Sequence, residues 1–103
     1  MTITIVAKLT AADGKADELR AALTEMVKNV KEHEAGRATA YSLHVSDTDP
    51  NLFLFYEQYA DAAALEAHGK TAHMAAMGGK LRDGGLLAGR PIIERYTQIA
   101  GVS

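Results

Sequence analysis

One stretch of the sequence constrains the fold most, because it places a strand directly before a helix. Residues 53–59 read Phe-Leu-Phe-Tyr-Glu-Gln-Tyr and include four of the six aromatic residues in the chain. A run of aromatic and aliphatic side chains favours a β-strand, here with one carboxylate, Glu57, inside it. Asp61 then has the character of a helix N-cap before an alanine-rich segment that leads to His68. We expect any pocket to lie at this junction.

The residues before this stretch alternate between strand and helix periodicities. Residues 2–9 place Ile, Ile, Ala and Leu at every second position, which predicts a half-buried first strand. Apolar residues then recur at spacings of three and four, which predicts an amphipathic helix capped by Asp13 and ending near Glu34. A second alternating segment reaches Val45, and the turn formers at 46–51 predict an antiparallel hairpin with the opening strand.

The residues after it predict a divided helix and a last strand. Gly69 interrupts the helix after His68, and Thr71 can cap its continuation. Five of the nine glycines lie between Gly78 and Gly89, so we expect a mobile connection over residues 78–90 that could cover a pocket as a lid. Pro91 can open a final strand over residues 92–97.

The resulting order, β-α-β-β-α-β, predicts an α+β, ferredoxin-like fold in which two helices cover one face of a four-stranded antiparallel sheet. A chain of 103 residues should form one domain, spanning 1–103. The strand at 53–59 is apolar on both faces. Because one layer of helices covers only one face, we expect a homodimer that buries the other.

Composition excludes several classes of function. With 11 basic and 13 acidic residues, the net charge of -2 gives no electrostatic footprint for nucleic acid or an anionic membrane. The absence of cysteine excludes disulfides and thiolate chemistry, and no long apolar run predicts a membrane span. We expect a cytoplasmic protein without a nucleic-acid or membrane partner.

Three segments in order give the chain a resemblance to a known family. Phe55-Tyr56-Glu57-Gln58-Tyr59, then Ala64 to His68, then Thr71-Ala72-His73-Met74 resemble the antibiotic biosynthesis monooxygenase (ABM) family of dimeric α/β-barrel proteins. The resemblance implies chemistry on small molecules, which in this family ranges from oxygenation of quinols and polycyclic phenols to haem degradation and sugar isomerisation. Tyr59 stands where many members have Trp, and the first strand lacks Asn, which argues against haem degradation.

His68 and Glu57 are the candidate catalytic residues. An imidazole can accept a proton from a phenol at neutral pH, although a hydrogen-bonded histidine at the edge of the core would explain His68 equally. A carboxylate inside an apolar strand needs a partner, so Glu57 is either an acid-base group or the structural partner of Arg95 or Arg90. The candidate substrate-binding residues are Tyr56, Tyr59, Met74 and Met77, which could also be core or interface residues.

His73 follows His68 by five residues, across Gly69, so the pair lacks the spacing of a helical metal site. We predict no metal site and no cofactor. His73 is free to point elsewhere after the break at Gly69, and we expect His33 and His44 to be surface residues.

Three functions remain open from these residues. The first is a cofactor-independent monooxygenase that uses molecular oxygen on an electron-rich phenol, quinol or polycyclic aromatic substrate. The second is a non-redox isomerase, which would need a basic phosphate-binding cluster, for example from Lys80, Arg82 and Arg90. The third is a dimer that binds small molecules without catalysis.

Overall fold

A computed structural model describes residues 1–102 and gives seven helices and strands. They are β1 (Ile3–Thr10), α1 (Ala16–His33), β2 (Ala38–Val45), β3 (Leu52–Tyr59), α2 (Ala62–Gly69), α3 (Ala72–Asp83) and β4 (Ile92–Thr97). The predicted α+β, ferredoxin-like order is confirmed, with the second helix divided into α2 and α3 as Gly69 suggested.

The four strands form one antiparallel sheet in the order β2-β3-β1-β4. The central pair places Ile5 opposite Glu57 and Ala7 opposite Phe55, while β2 places Tyr41 on the other side of Glu57. Because side chains alternate along a strand, Tyr41, Phe55 and Glu57 all point to the same face. This register brings the carboxylate of Glu57 into the layer between the sheet and the helices.

The core lies between that face and the helices. The buried face of β1 and β3 packs against one side of α1, whose buried residues recur every three or four positions. These α1 residues are Leu19, Leu23, Met26 and Val30. The apolar periodicity read from the sequence therefore predicts the side of α1 that is buried.

Side-chain caps fix where α2 and α3 begin. The Asp61 carboxylate accepts a hydrogen bond from the backbone N–H of Ala64 at 2.8 Å, and the Thr71 hydroxyl accepts one from Met74 at 3.2 Å. Each cap satisfies a backbone donor that the first helical turn leaves free. Lys70 and Thr71 separate the two helices, so α3 leaves in a new direction.

Two local predictions are wrong. Asp13 does not cap α1, which begins at Ala16 after a turn at Gly14 (φ 75°) and has Lys15 as its N-cap residue. The connection also does not begin at Gly78, because Gly78 and Gly79 lie within α3. The buried side chains of Leu81 and Leu86 hold the helix end and the following turn against the core, which offsets the glycines' low helix propensity.

The rest of that segment is also attached to the sheet. Ala12 donates a backbone hydrogen bond to Leu86 at 2.9 Å, and Ala88 donates one to Thr10 at 2.9 Å. These bonds tie the segment to the end of β1, so its backbone has structural partners that the glycine content did not suggest.

The opposite face of the sheet carries no helix among residues 1–102. Tyr56 on β3 and Ile92 and Tyr96 on β4 share that face and are 38%, 60% and 51% exposed. Polar residues interrupt the apolar surface, including Lys8, which lies 3.9 Å from Glu94. Within the same described residues, the helices are too short or too polar to cross a membrane.

Candidate functional site

Glu34, at the end of α1, binds two histidines through one buried carboxylate. The Nδ1 atom of His68 lies 3.0 Å from both carboxylate oxygens, and the Nε2 atom of His73 lies 2.5 Å from Oε2. The Glu34 side chain is 0% exposed, and those of His68 and His73 are 6% and 11% exposed. A buried carboxylate is costly unless it is paired and hydrogen-bonded, and the two imidazoles supply both.

Three separate elements position this group. Glu34 is the C-cap residue of α1, and its carbonyl accepts backbone hydrogen bonds from Arg37 and Ala38, which fixes it at the start of β2. His68 lies in the last turn of α2, one turn after the buried Ala64. His73 lies in the first turn of α3, where the break between the helices returns it toward Glu34. The sequence left the direction of His73 open, and in the structure His73 contacts the same carboxylate as His68.

Glu57 approaches His68 from the sheet side. Its Oε1 atom accepts a hydrogen bond from the Tyr59 hydroxyl at 2.5 Å and lies 4.0 Å from Nε2 of His68. Burial raises the pKa of the Glu57 carboxyl, although the Tyr59 hydroxyl and His68 oppose that shift. The partners of Glu57 are therefore Tyr59 and His68, and not the arginine that the sequence analysis considered.

Two tyrosine rings enclose the imidazole of His68. The ring centroids of Tyr59 and Tyr41 lie 5.1 and 5.5 Å from that of His68. Burial is the main cause that raises the pKa of both phenols, and the nearby Glu57 adds to it. Both tyrosines thus remain neutral hydroxyl groups at physiological pH. The Tyr59 hydroxyl donates its one hydrogen to Glu57, which leaves Tyr41 able to donate a hydrogen bond to an oxyanion.

Two clefts open between α1 and β2, and both reach Tyr41. One has a volume of about 400 Å³ and is lined by Val27, Tyr41, Leu43 and Phe53 among others. The other has a volume of about 500 Å³ and is lined by Val27, Val30 and Tyr41 among others. Volumes of this size suit small organic ligands. Tyr41 lines both clefts and its ring centroid lies 5.5 Å from that of His68, which lines neither.

The structure brings together only part of the set of residues expected from the sequence. His68, Glu57 and Tyr59 form one buried group, whereas Tyr56 points to the open face of the sheet. Met74 packs beside the core, and Met77 lines a cavity of about 40 Å³ between α1 and α3, away from the clefts. Tyr56 therefore lies on the other side of the sheet from this group, and the cavity beside Met77 is also lined by His73. A role for any of these residues in catalysis or substrate binding stays a prediction.

Sequence reasoning missed three members of the group: Glu34, His73 and Tyr41. Glu34 was expected only as the end of a helix, and Tyr41 only as one residue of an alternating strand. A local signal existed for Glu34, since it is an acidic residue directly before the Ala35-Gly36 helix stop and would be buried if the chain turned there. The approach of His73 depends on the angle between α2 and α3, which no local pattern encodes.

Comparison with known proteins agrees with this architecture. The model of the antibiotic biosynthesis monooxygenase family matches residues 2–79, which include β1 to α2 and most of α3. The chain therefore belongs to the antibiotic biosynthesis monooxygenase family. No protein of curated function matches the chain.

Several solved structures share the fold over nearly the whole chain. PA3566 from Pseudomonas aeruginosa is 32% identical with a TM-score of 0.86, covering 96% of this chain and 95% of its own. A candidate antibiotic biosynthesis monooxygenase from Caulobacter crescentus is 31% identical with a TM-score of 0.87, covering 96% and 91%. Rv0793 from Mycobacterium tuberculosis is 19% identical with a TM-score of 0.89, covering 100% of both chains, and shows the fold alone.

Proposed function

We propose that the protein is a cofactor-independent monooxygenase that oxidises a small electron-rich phenol, quinol or polycyclic aromatic compound with molecular oxygen. Family membership supports oxygenase chemistry in general. The observation that carries the specific proposal is the placement of His68, whose Nε2 lies 4.0 Å from Glu57 and whose ring contacts those of Tyr41 and Tyr59. This arrangement supplies a base, a proton acceptor beyond it and one hydroxyl donor, Tyr41.

In the proposed reaction, the substrate provides all the electrons. Nε2 of His68 removes a proton from the substrate, and the resulting anion reduces oxygen. For a polycyclic phenol reacting as its keto form, a CH2 carbon becomes a carbonyl. One oxygen atom enters the product, and the other leaves as water with the two hydrogens of that carbon. The four electrons lost by the carbon reduce the O2, so no other reductant is required.

The surrounding groups have defined roles in this proposal. Glu34 holds Nδ1 of His68 and thereby orients the ring, as a carboxylate does for a catalytic histidine. The raised pKa of Glu57 suits it to receive a proton from His68. Because 4.0 Å exceeds a hydrogen-bond distance, that transfer needs a small closing movement or an intervening substrate oxygen. The hydroxyl of Tyr41 can stabilise negative charge on the substrate, while that of Tyr59 holds the Glu57 carboxylate in place.

The substrate would enter beside β2. The clefts of about 400 and 500 Å³ meet at Tyr41, whose ring lies 5.5 Å from His68. A rotation of the Tyr41 side chain would connect them to the imidazole. Aliphatic and aromatic side chains line the 400 Å³ cleft together with Arg20 and His44, which suits an apolar ring system that carries a polar or anionic oxygen.

The proposal includes a homodimer formed through the open face of the sheet. Tyr56, Ile92 and Tyr96 expose large apolar side chains there, and a second copy is the natural partner for a sheet face left without helices. In this arrangement each protomer keeps its own His68 on the helix side.

The two alternatives lack a comparable observation. An isomerase of a phosphorylated substrate needs converging cations, but Lys80 is bonded to Glu25 and Arg82 lies beside Asp83. A non-enzymatic binding dimer would use the same clefts without turnover. Measurement of turnover therefore separates it from an oxygenase.

The test is oxygen consumption by the purified protein with a panel of hydroquinones and polycyclic phenols. We expect His68→Gln to lower turnover by roughly 100-fold or more, as for loss of a general base, while Gln keeps a hydrogen bond to Glu34. Glu66→Gln is the control, because this exposed carboxylate lies on the same helix as His68 but pairs with Lys70 at the surface, away from the proposed site.

Circular dichroism should show that both variants are folded. Turnover by His68→Gln equal to that of the unmodified protein would exclude His68 as the base. An absence of oxygen consumption over the whole panel would instead favour the binding dimer.

A further inference from the structure

Glu34, His68 and His73 present three ligand atoms to one small volume. One ligand atom from each of these three residues lies within 4.8 Å of the other two. The carboxylate contacts both imidazoles directly, at 3.0 and 2.5 Å. The five-residue spacing of the histidines excludes a metal site only when both histidines lie on one continuous helix. In the structure they lie on two helices, α2 and α3.

The donor set suits a divalent zinc ion. Two imidazole nitrogens and one carboxylate oxygen are a common three-residue ligand set for Zn²⁺, which holds nitrogen and oxygen ligands at about 2.0–2.2 Å. A tetrahedral ion with those bond lengths separates its ligand atoms by about 3.3 Å, so small side-chain rotations would suffice. Because the ligand side chains are between 0% and 11% exposed, the ion would be largely withdrawn from water.

The groups behind His68 match those found around metal-bound histidines. When Nδ1 binds a metal, Nε2 carries the remaining proton and is commonly oriented by a carboxylate. Glu57 Oε1 lies 4.0 Å from Nε2 and is itself held by the Tyr59 hydroxyl at 2.5 Å. Glu34 also supplies the negative charge that a cation would balance. A carboxylate thus lies on the Nε2 side of His68, although 4.0 Å is longer than a hydrogen bond, so a small closing movement is needed before Glu57 can orient the ring.

We propose that Glu34, His68 and His73 bind one Zn²⁺ per chain, and that the ion competes with catalysis for His68. The binding of zinc is argued from the geometry alone, whereas its competition with catalysis rests on the proposed function. A histidine that binds zinc through Nδ1 keeps its proton on Nε2 and cannot act there as a general base. Zinc therefore acts as an inhibitor of the oxygenase rather than as its cofactor.

The binding test is calorimetric titration of the metal-free full-length protein with Zn²⁺. We expect one ion per chain, and at least a 10-fold loss of affinity in Glu34→Gln and in His73→Gln. The partly exposed His73 provides the safer variant should Glu34→Gln fail to fold. His44→Gln is the matched control, because His44 lies on the exposed side of β2 and should bind zinc normally.

Nuclear magnetic resonance of ¹⁵N-labelled histidine identifies the ligand atoms directly. We expect zinc to shift Nδ1 of His68 and Nε2 of His73 while leaving His44 unchanged. An absence of binding at millimolar Zn²⁺, or unchanged affinity in His73→Gln, would overturn the site. Binding that leaves the His68 resonances unmoved would overturn the competition.

Oxygen consumption provides a separate readout. One equivalent of Zn²⁺ should inhibit turnover by the unmodified protein, and His73→Gln should be insensitive to it. Zinc that binds at the site without inhibiting an active protein would contradict the competition. Should the metal-free protein oxidise no substrate, the proposed function fails, while calorimetry and the histidine resonances still decide the zinc site.

Discussion

The two faces of β3 differ in what covers them, although their side chains alternate along one short strand. Phe53, Phe55 and Tyr59 point toward the helices and are no more than 2% exposed, whereas Tyr56 points away and is 38% exposed. The covered face also contains Glu57, which the sheet, Tyr59 and His68 surround. The same strand therefore contributes the core and the candidate site on one face and a candidate interface on the other.

This difference shows how a small fold can place polar groups inside an apolar layer. Glu57 and Glu34 are buried, yet each contacts a hydrogen-bond donor from the group formed by Tyr59, His68 and His73. Among residues 1–102, every fully buried side-chain nitrogen or oxygen has a hydrogen-bond partner. The polar group is thus compatible with the core, and substitutions on the two faces should act on different properties.

The largest expected effect comes from truncating the covered face. Phe55→Ala removes a ring that is 2% exposed and contacts Tyr41 at a centroid distance of 4.9 Å. We expect it to lower the free energy of unfolding by about 3–5 kcal/mol, the usual cost of such a cavity. Chemical denaturation at one fixed protein concentration measures this. A loss below about 1 kcal/mol would mean that the covered face is not a tightly packed core.

The second-largest expected effect comes from a substitution on the open face of the sheet. If a second copy covers it, Tyr56→Asp places a charge within an apolar interface and should weaken the dimer by roughly 100-fold, or about 2.7 kcal/mol. Sedimentation should show the unmodified protein at twice the chain mass of 11.0 kDa and the variant shifted toward that mass on dilution.

Ala21→Asp is the control for this change, because it adds the same charge to the exposed surface of α1, on the opposite side of the molecule. A monomeric unmodified protein at micromolar concentration would rule out the dimer. Equal dissociation of both variants would mean that the effect of Tyr56→Asp reports net charge rather than the open face.

The sequence predicted most of the fold because its signals are local and repeated. Strand alternation, the apolar spacing in α1 and the caps at Asp61 and Thr71 each act over a few residues, and the order of elements follows from them. The prediction failed at Gly78, where burial of Leu81 and Leu86 outweighs the helix-breaking tendency of glycine. Tertiary contacts determine where the helix ends in that segment, and a local sequence pattern does not reveal such contacts.

The candidate site was predictable only in part for a related reason. His68 and Glu57 could be identified from the sequence because a titratable group within an apolar run is unusual in any fold. Glu34, His73 and Tyr41 become significant only when the end of α1, the start of α3 and the second strand converge. Those contacts span up to 39 residues of sequence, between Glu34 and His73, and depend on the angle between helices.

The smallest expected effect concerns the charge on the covered face. Because burial raises the pKa of Glu57 above its usual value of 4.5, the folded protein holds this proton more tightly than the unfolded chain does. The stability from that proton is fully present below the unfolded pKa and is lost as pH rises through the folded pKa. Glu57→Gln cannot lose a proton, so its stability relative to the unmodified protein should improve across that window.

The size of this change reports the pKa difference, at about 1.4 kcal/mol for each unit. Denaturation of both proteins at intervals from pH 4 to pH 8 measures it, within the window that opens near 4.5. Glu66→Gln is the control, because this exposed carboxylate of α2 pairs with Lys70 at the surface. The free energy of unfolding of Glu57→Gln, relative to that of the unmodified protein, could instead stay constant with pH. That result would show that the Glu57 carboxyl has the same pKa in the folded and unfolded chains, so burial on the covered face does not raise it.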